Sequence, residues 1–126
     1  ISKNISIKVM PGDPLKNYRL ASIFVLPSVH ESFGLVVLEA MSAGLPVIVS
    51  DMVGAKDCVE ENSNGYIFKS GDINQLSFYI KKLYKDKKLA KIMSKNSIKI
   101  AKGYDWKFIV NNLIKFINKI SQLGIK

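Results

Sequence analysis

Residues 27–47 read PSVHESFGLVVLEAMSAGLPV, and this segment contains the clearest signals of secondary structure in the chain. Its centre, residues 33–43, predicts a helix that ends at Gly44 and Pro46, because glycine favours the turn after a helix and proline cannot continue one. Residues 46–50 are apolar and mostly β-branched, which is typical of a buried parallel strand. An apolar run over residues 22–26 predicts a short strand before the helix. The stretch therefore predicts a strand, a loop, a helix and a second strand.

The rest of the chain continues this alternation. Further strands are predicted over residues 6–10 and 64–68, with a helical turn over residues 14–20. Asp72, with Gln75 after it, predicts the start of a helix that reaches about residue 84, and two more helices are predicted over residues 87–102 and after Asp105. Helices that alternate with short strands imply a parallel sheet covered on both faces. We expect the 126 residues to form one domain, a Rossmann-like three-layer α/β sandwich.

Composition narrows the classes of function. Hydrophobic residues make up 48% of the chain, as in soluble globular proteins. The net charge is +9, yet 18 of the 19 basic residues are lysine, and arginine is the side chain better suited to phosphates and base edges. We therefore expect no nucleic-acid partner. Cys58 is the single cysteine and is interpreted as a packing residue. No His, Cys or Asp cluster in the sequence has the spacing of metal ligands.

The loop before the central helix carries the candidate site. Ligands of parallel sheets gather where strands end, and the free N–H groups of a helix N-terminus favour an anion such as a diphosphate. Gly34 lets a ligand approach the backbone closely. Glu39 has apolar neighbours, so we expect it to be largely buried. Glu31 lies eight positions earlier, which in a helix is about 80° around the axis and roughly 12 Å along it. Two such carboxylates would hold the two ends of a nucleoside diphosphate sugar.

The same residues resemble a known family. Glu31 and Glu39, with Phe33 and Gly34 between them, resemble the E-x7-E motif of the family 4, or group 1, glycosyltransferases. The flanking residues are similar in order over nearly the whole chain: Pro27-Ser28, Glu39-Ala40-Met41, Gly44-Leu45-Pro46-Val47, Ser50-Asp51, Gly54, Asn64-Gly65, Gly71-Asp72 and Trp106. The resemblance implies the C-terminal, nucleotide-sugar-binding domain of a GT-B fold, in an enzyme that retains the anomeric configuration of the sugar.

The resemblance also implies roles for single residues. Glu39 would bind the ribose hydroxyls of the nucleotide. Glu31 would be the catalytic residue, in contact with the donor sugar and stabilising charge near the anomeric carbon. The backbone amides of Phe33, Gly34 and Leu35 would hold sugar and diphosphate oxygens. The partners implied are a nucleoside diphosphate sugar and an acceptor sugar or glycolipid, with no metal and no other cofactor, in polysaccharide or glycolipid biosynthesis.

Two departures from the family pattern limit what is expected. The segment after the second strand reads Val53-Gly54-Ala55-Lys56-Asp57 where the family commonly has Gly-Gly-x-x-Glu. The chain also begins, without Met, at what resembles the middle of the donor domain. We therefore expect residues 1–126 to be a single partial domain, incomplete at its N-terminal edge, without the acceptor domain and without the family's phosphate-binding Arg and Lys. Such a chain should not catalyse transfer by itself.

Charge is distributed unevenly along the chain. Residues 1–68 hold 5 basic and 7 acidic side chains, whereas residues 69–126 hold 14 and 3. Five lysines at steps of three and four form one stripe on the predicted helix 87–102: Lys88, Lys91, Lys95, Lys99 and Lys102. This lysine stripe is either an ordinary solvated face or a surface for anionic membranes. No signal peptide or membrane span is visible, so we expect a cytoplasmic protein, or one peripheral at the inner face of the membrane.

Each candidate site residue also has an interpretation in which its role is purely structural. Glu39 would also suit a carboxylate pinned by a core lysine or by backbone donors, and Glu31 would suit a helix-start residue. His30 is either a loop residue or a substrate contact. Three hypotheses follow for the chain: an enzyme domain, a non-catalytic module that binds sugar nucleotides, and a basic module that docks on membranes.

Overall fold

The computed structural model describes residues 6, 8–122 and 124. Within them the elements follow in this order: α1 (Pro14–Leu20), β1 (Phe24–Leu26), α2 (Leu35–Ser42), β2 (Val47–Ser50), a 3-10 helix (Gly54–Cys58), β3 (Gly65–Phe68), α3 (Ile73–Lys85), α4 (Lys87–Lys102) and α5 (Trp106–Gln122). Apart from the 3-10 helix, each of these elements lies where the sequence predicts one.

The three strands form a parallel sheet in the order β1-β2-β3. Phe24 of β1 lies opposite Val47 of β2, and Val47 in turn lies opposite Gly65 of β3. Because the strands run in one direction, their carboxyl ends share one edge of the sheet. The loop before α2, the 3-10 helix and the turn before α3 all start from this edge, where parallel sheets bind ligands.

Side chains of β2 point alternately into two cores, one on each face of the sheet. Val49 packs in a cluster with Met41 of α2, on the face that α1 and α2 cover. Ile48 packs in a second cluster with Leu83 of α3 and Met93 of α4. All four residues of β2 are buried, which explains why this strand has no polar face. The predicted three-layer α/β architecture with a parallel sheet is confirmed.

Helix α4 lies at the opposite, amino ends of the strands. Its Ser97 hydroxyl donates to the carbonyl of Asn64, directly before β3, at 3.4 Å. A Cβ on Gly44, shortly before β2, would lie 3.3 Å from the Ser94 hydroxyl and 3.2 Å from a terminal carbon of Ile98. α4 therefore closes the end of the domain that faces away from the ligand-binding edge.

The strand predicted over residues 6–10 is wrong for its described part. The backbone is irregular at residues 6 and 8–10, and Val9 and Met10 are 92% and 51% exposed. Their apolar pattern favours a strand, but a strand also needs a hydrogen-bonded neighbour. In the described sheet β1 pairs with β2 and with no other strand.

The central helix is shorter and less buried than the sequence predicts. It begins at Leu35, because Gly34 adopts left-handed backbone angles, and Ala43 caps its end. Val37, Ala40 and Met41 are fully buried, whereas Leu35 is 63% exposed. The helix packs on the sheet by one face only. Because its sequence is apolar on every side, apolar side chains remain exposed on the opposite face. The lack of a polar face predicts a buried helix over residues 33–43, and this prediction holds for the inner face of α2 and is wrong for the outer one.

Candidate functional site

Glu31 lies in the loop between β1 and α2, at the carboxyl edge of the sheet. Its backbone N–H donates to the Met52 carbonyl at 3.2 Å, and its carbonyl accepts from the Gly54 N–H at 3.0 Å. These bonds place Glu31 in a parallel bridge with Val53. A Cβ on Gly54 would overlap the Ser32 carbonyl oxygen, so glycine is what allows the two loops to approach. The loop of Glu31 is thus fixed to the segment after β2.

Gly34 forms the start of α2 beside Glu31. Its φ of 85° and ψ of 57° are left-handed, and α2 has no side-chain cap. A Cβ at this position would lie 3.3 Å from Cγ of Glu31 and 3.1 Å from Val53, so the stem of Glu31 crosses the start of the helix. The first N–H groups of a helix have no partner within it, and they favour an anion.

A cavity of about 330 Å³ opens at this loop. Its lining residues are His30, Glu31, Ser32, Asp51, Met52, Val53, Gly54 and Lys56. The ammonium of Lys56 donates to the backbone carbonyl of Asp51 at 2.7 Å, which holds this cation at the cavity wall. The Asp51 carboxylate accepts from the Ser70 N–H at 2.8 Å and so ties the wall to the turn after β3. The residues that line the cavity carry two carboxylates, an imidazole and an ammonium group.

Glu39 lies on the exposed face of α2, so the expectation that it is largely buried is wrong. Its Oε2 accepts a hydrogen bond from the Tyr18 hydroxyl at 3.1 Å. With Asp13, Pro14, Leu15, Tyr18 and Ser42 it lines a second cavity, of about 370 Å³, between α1 and α2. The donor that Glu39 needs therefore comes from a neighbouring helix, without burial in the core.

The two carboxylates do not share one cavity. Glu31 precedes α2 in a loop bridged to Val53, so the helical geometry used to relate it to Glu39 does not apply. Glu39 lies within the helix and points to α1, where it meets Tyr18. The start of α2 connects the two positions along the chain. An extended ligand would have to pass over that helix start to reach both.

The three residues expected to offer backbone amides lie at the start of α2. Phe33 and Leu35 are 45% and 63% exposed, and Gly34 between them is the N-cap residue. The Phe33 carbonyl accepts from the Ala55 N–H, which adds a further bond between the two loops. Their place agrees with the expected anion contacts, and their roles stay a prediction.

Tyr18 and Lys56 are candidate site residues that the sequence analysis missed. Lys56 follows a buried strand at the carboxyl edge, a position that in itself signals a ligand contact in parallel sheets. Tyr18 had no comparable signal, because a tyrosine at helical spacing in α1 also suits core packing. Burial first, and then the hydrogen bond and charge of Glu39, raise the pKa of Tyr18.

Cys58 is buried and unpaired, as its interpretation as a packing residue requires. Burial raises the pKa of its thiol, partly offset by a hydrogen bond with Tyr104. The same hydrogen bond, with burial, raises the pKa of Tyr104. Both groups therefore keep their protons at neutral pH, and neither lies in the two cavities described above.

The lysine stripe lies on the exposed side of α4. Each of its five members, Lys88, Lys91, Lys95, Lys99 and Lys102, is exposed. None of the five lines either candidate cavity, although Lys102 lines a neighbouring one together with Ser42 of the Glu39 cavity. Among the helices that the structure describes, none is long and apolar enough to cross a membrane. The described residues also contain no cluster of three or more His, Cys, Asp and Glu side chains suited to a metal ion.

Fold and site together define an α/β glycosyltransferase domain of the GT-B type, the architecture of its structural relatives. The chain belongs to the family described as "Glycosyl transferases group 1", which matches residues 4–100. The resemblance to the group 1 glycosyltransferases is thereby confirmed.

Individual relatives show how far the similarity extends. The sulfoquinovosyl transferase SQD2 of Arabidopsis thaliana is 35% identical over 102 residues, which cover 78% of this chain and 20% of that protein. The sucrose-phosphate synthase of Thermosynechococcus elongatus superposes with a TM-score of 0.73 at 29% identity, over 85% of this chain and 27% of that one. The pneumococcal O-GlcNAc transferase GtfA, in complex with UDP and GlcNAc, superposes with a TM-score of 0.70 at 26% identity. The match covers 86% of this chain and 23% of that one. The chain thus spans about a fifth to a quarter of these relatives.

Proposed function

We propose that this chain is the donor-binding domain of a retaining, family 4 glycosyltransferase. It binds a nucleoside diphosphate sugar and, together with an acceptor-binding domain, transfers a hexosyl group to an acceptor sugar or glycolipid with retention of anomeric configuration. The observation that carries the proposal is the loop of Glu31, fixed at the carboxyl edge of the sheet directly before the uncapped start of α2. The relative GtfA, solved with UDP, supports a nucleotide ligand for this fold.

The diphosphate is placed over the start of α2. The free N–H groups of Phe33, Gly34 and Leu35 supply hydrogen bonds there, and the helix dipole favours negative charge. Lys56, at the wall of the adjoining cavity, adds a full positive charge within the same edge.

The two carboxylates then bind the two ends of the ligand. Glu39 faces the cavity between α1 and α2, and one of its oxygens is already engaged by Tyr18. Its other oxygen accepts hydrogen bonds from the ribose hydroxyls. Glu31, on the other side of the helix start, faces the cavity that takes the sugar. The ligand passes over the start of α2 and in this way reaches both cavities.

Glu31 acts on the transition state. As the bond between the anomeric carbon and the leaving diphosphate lengthens, positive charge develops on the sugar ring, and a nearby carboxylate stabilises it. The N–H groups at the start of α2 stabilise the negative charge that the diphosphate gains. The acceptor hydroxyl attacks the anomeric carbon from the face that the diphosphate leaves and gives its proton to the departing phosphate oxygen, which retains the configuration. His30, in the same cavity, remains either a loop residue or a sugar contact.

A second candidate function is a module that docks on an anionic membrane surface. The five exposed lysines of the stripe on α4 favour it, since each basic residue near acidic lipid adds about 1 kcal/mol. None of these lysines lines either candidate cavity, so docking through them would not use the residues that bind the donor. A cytoplasmic protein, peripheral at the inner face of the membrane, would combine the two functions.

Titration of nucleotide sugars tests the donor proposal. In the native protein that contains this sequence, a panel of UDP-, GDP- and ADP-sugars should show binding of at least one donor, and hydrolysis or transfer that depends on Glu31. The 126-residue chain by itself should bind nucleotide weakly and transfer no sugar. Binding without turnover in the native protein would favour the non-catalytic module, and absence of binding would refute the donor role.

A further inference from the structure

Tyr18 is the side chain that contacts Glu39. Its hydroxyl donates to Oε2 of Glu39 at 3.1 Å, from a helix 21 positions earlier in the chain. This bond joins α1 to α2 across the mouth of the cavity that both residues line. The second oxygen of the Glu39 carboxylate takes no part in this hydrogen bond.

The ring of Tyr18 is held in place by the core. It meets Phe24, the first residue of β1, edge to face, with 5.9 Å between the ring centroids and 76° between the planes. It also packs against the cluster of buried residues beneath α2. An aromatic ring with two rotatable bonds, held on one side, is a rigid support for its hydroxyl. The position of the hydroxyl is therefore set by the core and passed on to Glu39.

In the hydrogen bond between Tyr18 and Glu39, Tyr18 is the donor and Glu39 is the acceptor. An ionised carboxylate accepts hydrogen bonds and donates none, so the proton of the bond belongs to Tyr18. Burial and the nearby charge of Glu39 raise the pKa of Tyr18, so the hydroxyl stays a donor throughout the neutral range. A carboxylate has about four acceptor sites, and the ribose hydroxyls need two of them.

We propose that Tyr18 is a positioning residue for donor binding: it fixes the Glu39 carboxylate in the orientation in which its other oxygen receives the ribose hydroxyls. The proposal rests on the proposed function, in which Glu39 binds ribose. Without Tyr18, the exposed Glu39 side chain would have to be ordered by the ligand itself. Ordering one such side chain on binding weakens affinity by about three- to tenfold.

The test is a double-mutant cycle on nucleotide binding. Calorimetry on the native protein first identifies the tightest binder among UDP, GDP and ADP. The same nucleoside diphosphate lacking both ribose hydroxyls is the second probe. The variants are Tyr18→Phe, Glu39→Gln and the double variant. Tyr84→Phe is the matched control, since Tyr84 is 67% exposed on α3 and lies outside both candidate cavities.

Tyr18→Phe should weaken the ribonucleotide about three- to tenfold and leave the form without ribose hydroxyls within about twofold. Because Tyr18 acts through Glu39, adding the Tyr18→Phe substitution to the Glu39→Gln variant should cause little further loss of affinity. Equal weakening of both probes, or full additivity with Glu39→Gln, would show a purely structural role and overturn this inference. If Glu39→Gln itself left the ribonucleotide affinity unchanged, or if none of the three nucleotides bound, the proposed function would fail first.

Discussion

At the scale of single residues, Glu31 and Glu39 differ in what surrounds them. Glu31 lies in a loop fixed by backbone bonds to Met52 and Gly54, and Glu39 lies on an exposed helix face beside Tyr18. In the native protein, Glu39→Gln should mainly weaken donor binding, by the roughly 1.5–3 kcal/mol of a charge-assisted hydrogen bond. Glu31→Gln should lower kcat more than donor affinity, because a carboxylate stabilises charge that the ground state largely lacks.

Donor titration beside steady-state rates separates these two effects. Glu60→Gln is a suitable control, since Glu60 is exposed and lies outside both candidate cavities. If both site variants kept affinity and rate near those of the unmodified protein, neither carboxylate would have the proposed role.

Lys56 carries a separate prediction at the same scale. Lys56→Met removes the ammonium at the cavity wall and should weaken UDP more than uridine, because only the diphosphate carries the charge that it meets. We expect about a 3- to 30-fold loss for UDP. Lys85→Met, at the end of α3, removes the same charge away from the cavity and should change neither affinity. Equal losses for UDP and uridine would contradict a phosphate contact.

At the scale of elements, the contact between the loop of Glu31 and the 3-10 helix is specified by glycine. Gly54→Ala should destabilise the protein by about 1–3 kcal/mol, as overpacking does, since its Cβ would overlap the Ser32 carbonyl oxygen. Gly103→Ala, at the end of α4 with helical backbone angles, should change stability far less. Urea unfolding of both variants measures the difference. A Gly54 variant as stable as the Gly103 variant would show that the loops separate freely.

The sequence predicted most elements because local and tertiary signals agreed there. Asp72 and Asp86 cap α3 and α4 with their side chains, and both helices end where their apolar periodicity does. β2 is buried on both faces, so its apolar run was unambiguous. The strand expected over residues 6–10 failed because its pattern did not reveal the lack of a pairing partner. The 3-10 helix was missed because it depends partly on bonds from Gly54 and Ala55 to the loop of Glu31, which the local sequence does not reveal.

The sequence named the candidate site residues, whose roles stay a prediction, but it was wrong about their geometry. The spacing of Glu31 and Glu39 identified both residues, but the helical rule that related them fails where Gly34 turns the chain. The burial of Glu39 was overestimated because an apolar helix was assumed to have apolar surroundings on every side. Tyr18 was beyond reach, since a contact between residues 21 positions apart depends on how α1 packs on α2.

At the scale of the whole molecule, one thiol and two tyrosine hydroxyls make the free energy of unfolding fall at alkaline pH. The pKa values of Cys58, Tyr18 and Tyr104 are raised above their usual 9.0, 10.0 and 10.0. The folded state therefore keeps protons that the unfolded state loses. This stabilising contribution is complete below pH 9 and declines as pH rises through the folded pKa values. Cys58→Ala should flatten the fall in unfolding free energy above pH 9, measured by urea titration against pH. An unchanged slope would contradict the raised thiol pKa.

The lysine stripe gives a second prediction for the whole molecule. Changing Lys88, Lys95 and Lys99 to Gln should weaken binding to vesicles of phosphatidylglycerol and phosphatidylcholine by about 3 kcal/mol, at about 1 kcal/mol per lysine. Vesicles of phosphatidylcholine should bind neither form, and added salt should release the unmodified protein. Co-sedimentation measures both. Binding that ignores the three substitutions would assign the stripe to an ordinary solvated face.

The central claim is that a nucleoside diphosphate lies over the start of α2, between Glu31 and Glu39. Amide NMR spectra of the isotope-labelled 126-residue chain, recorded during titration with UDP, GDP and ADP, test it most directly. We predict that one nucleotide shifts the signals of Phe33, Gly34 and Leu35, together with those of Gly54 and Lys56, and that Glu39→Gln weakens the response. Shifts confined to α3 and α4, or a spectrum unchanged at millimolar nucleotide, would contradict the claim.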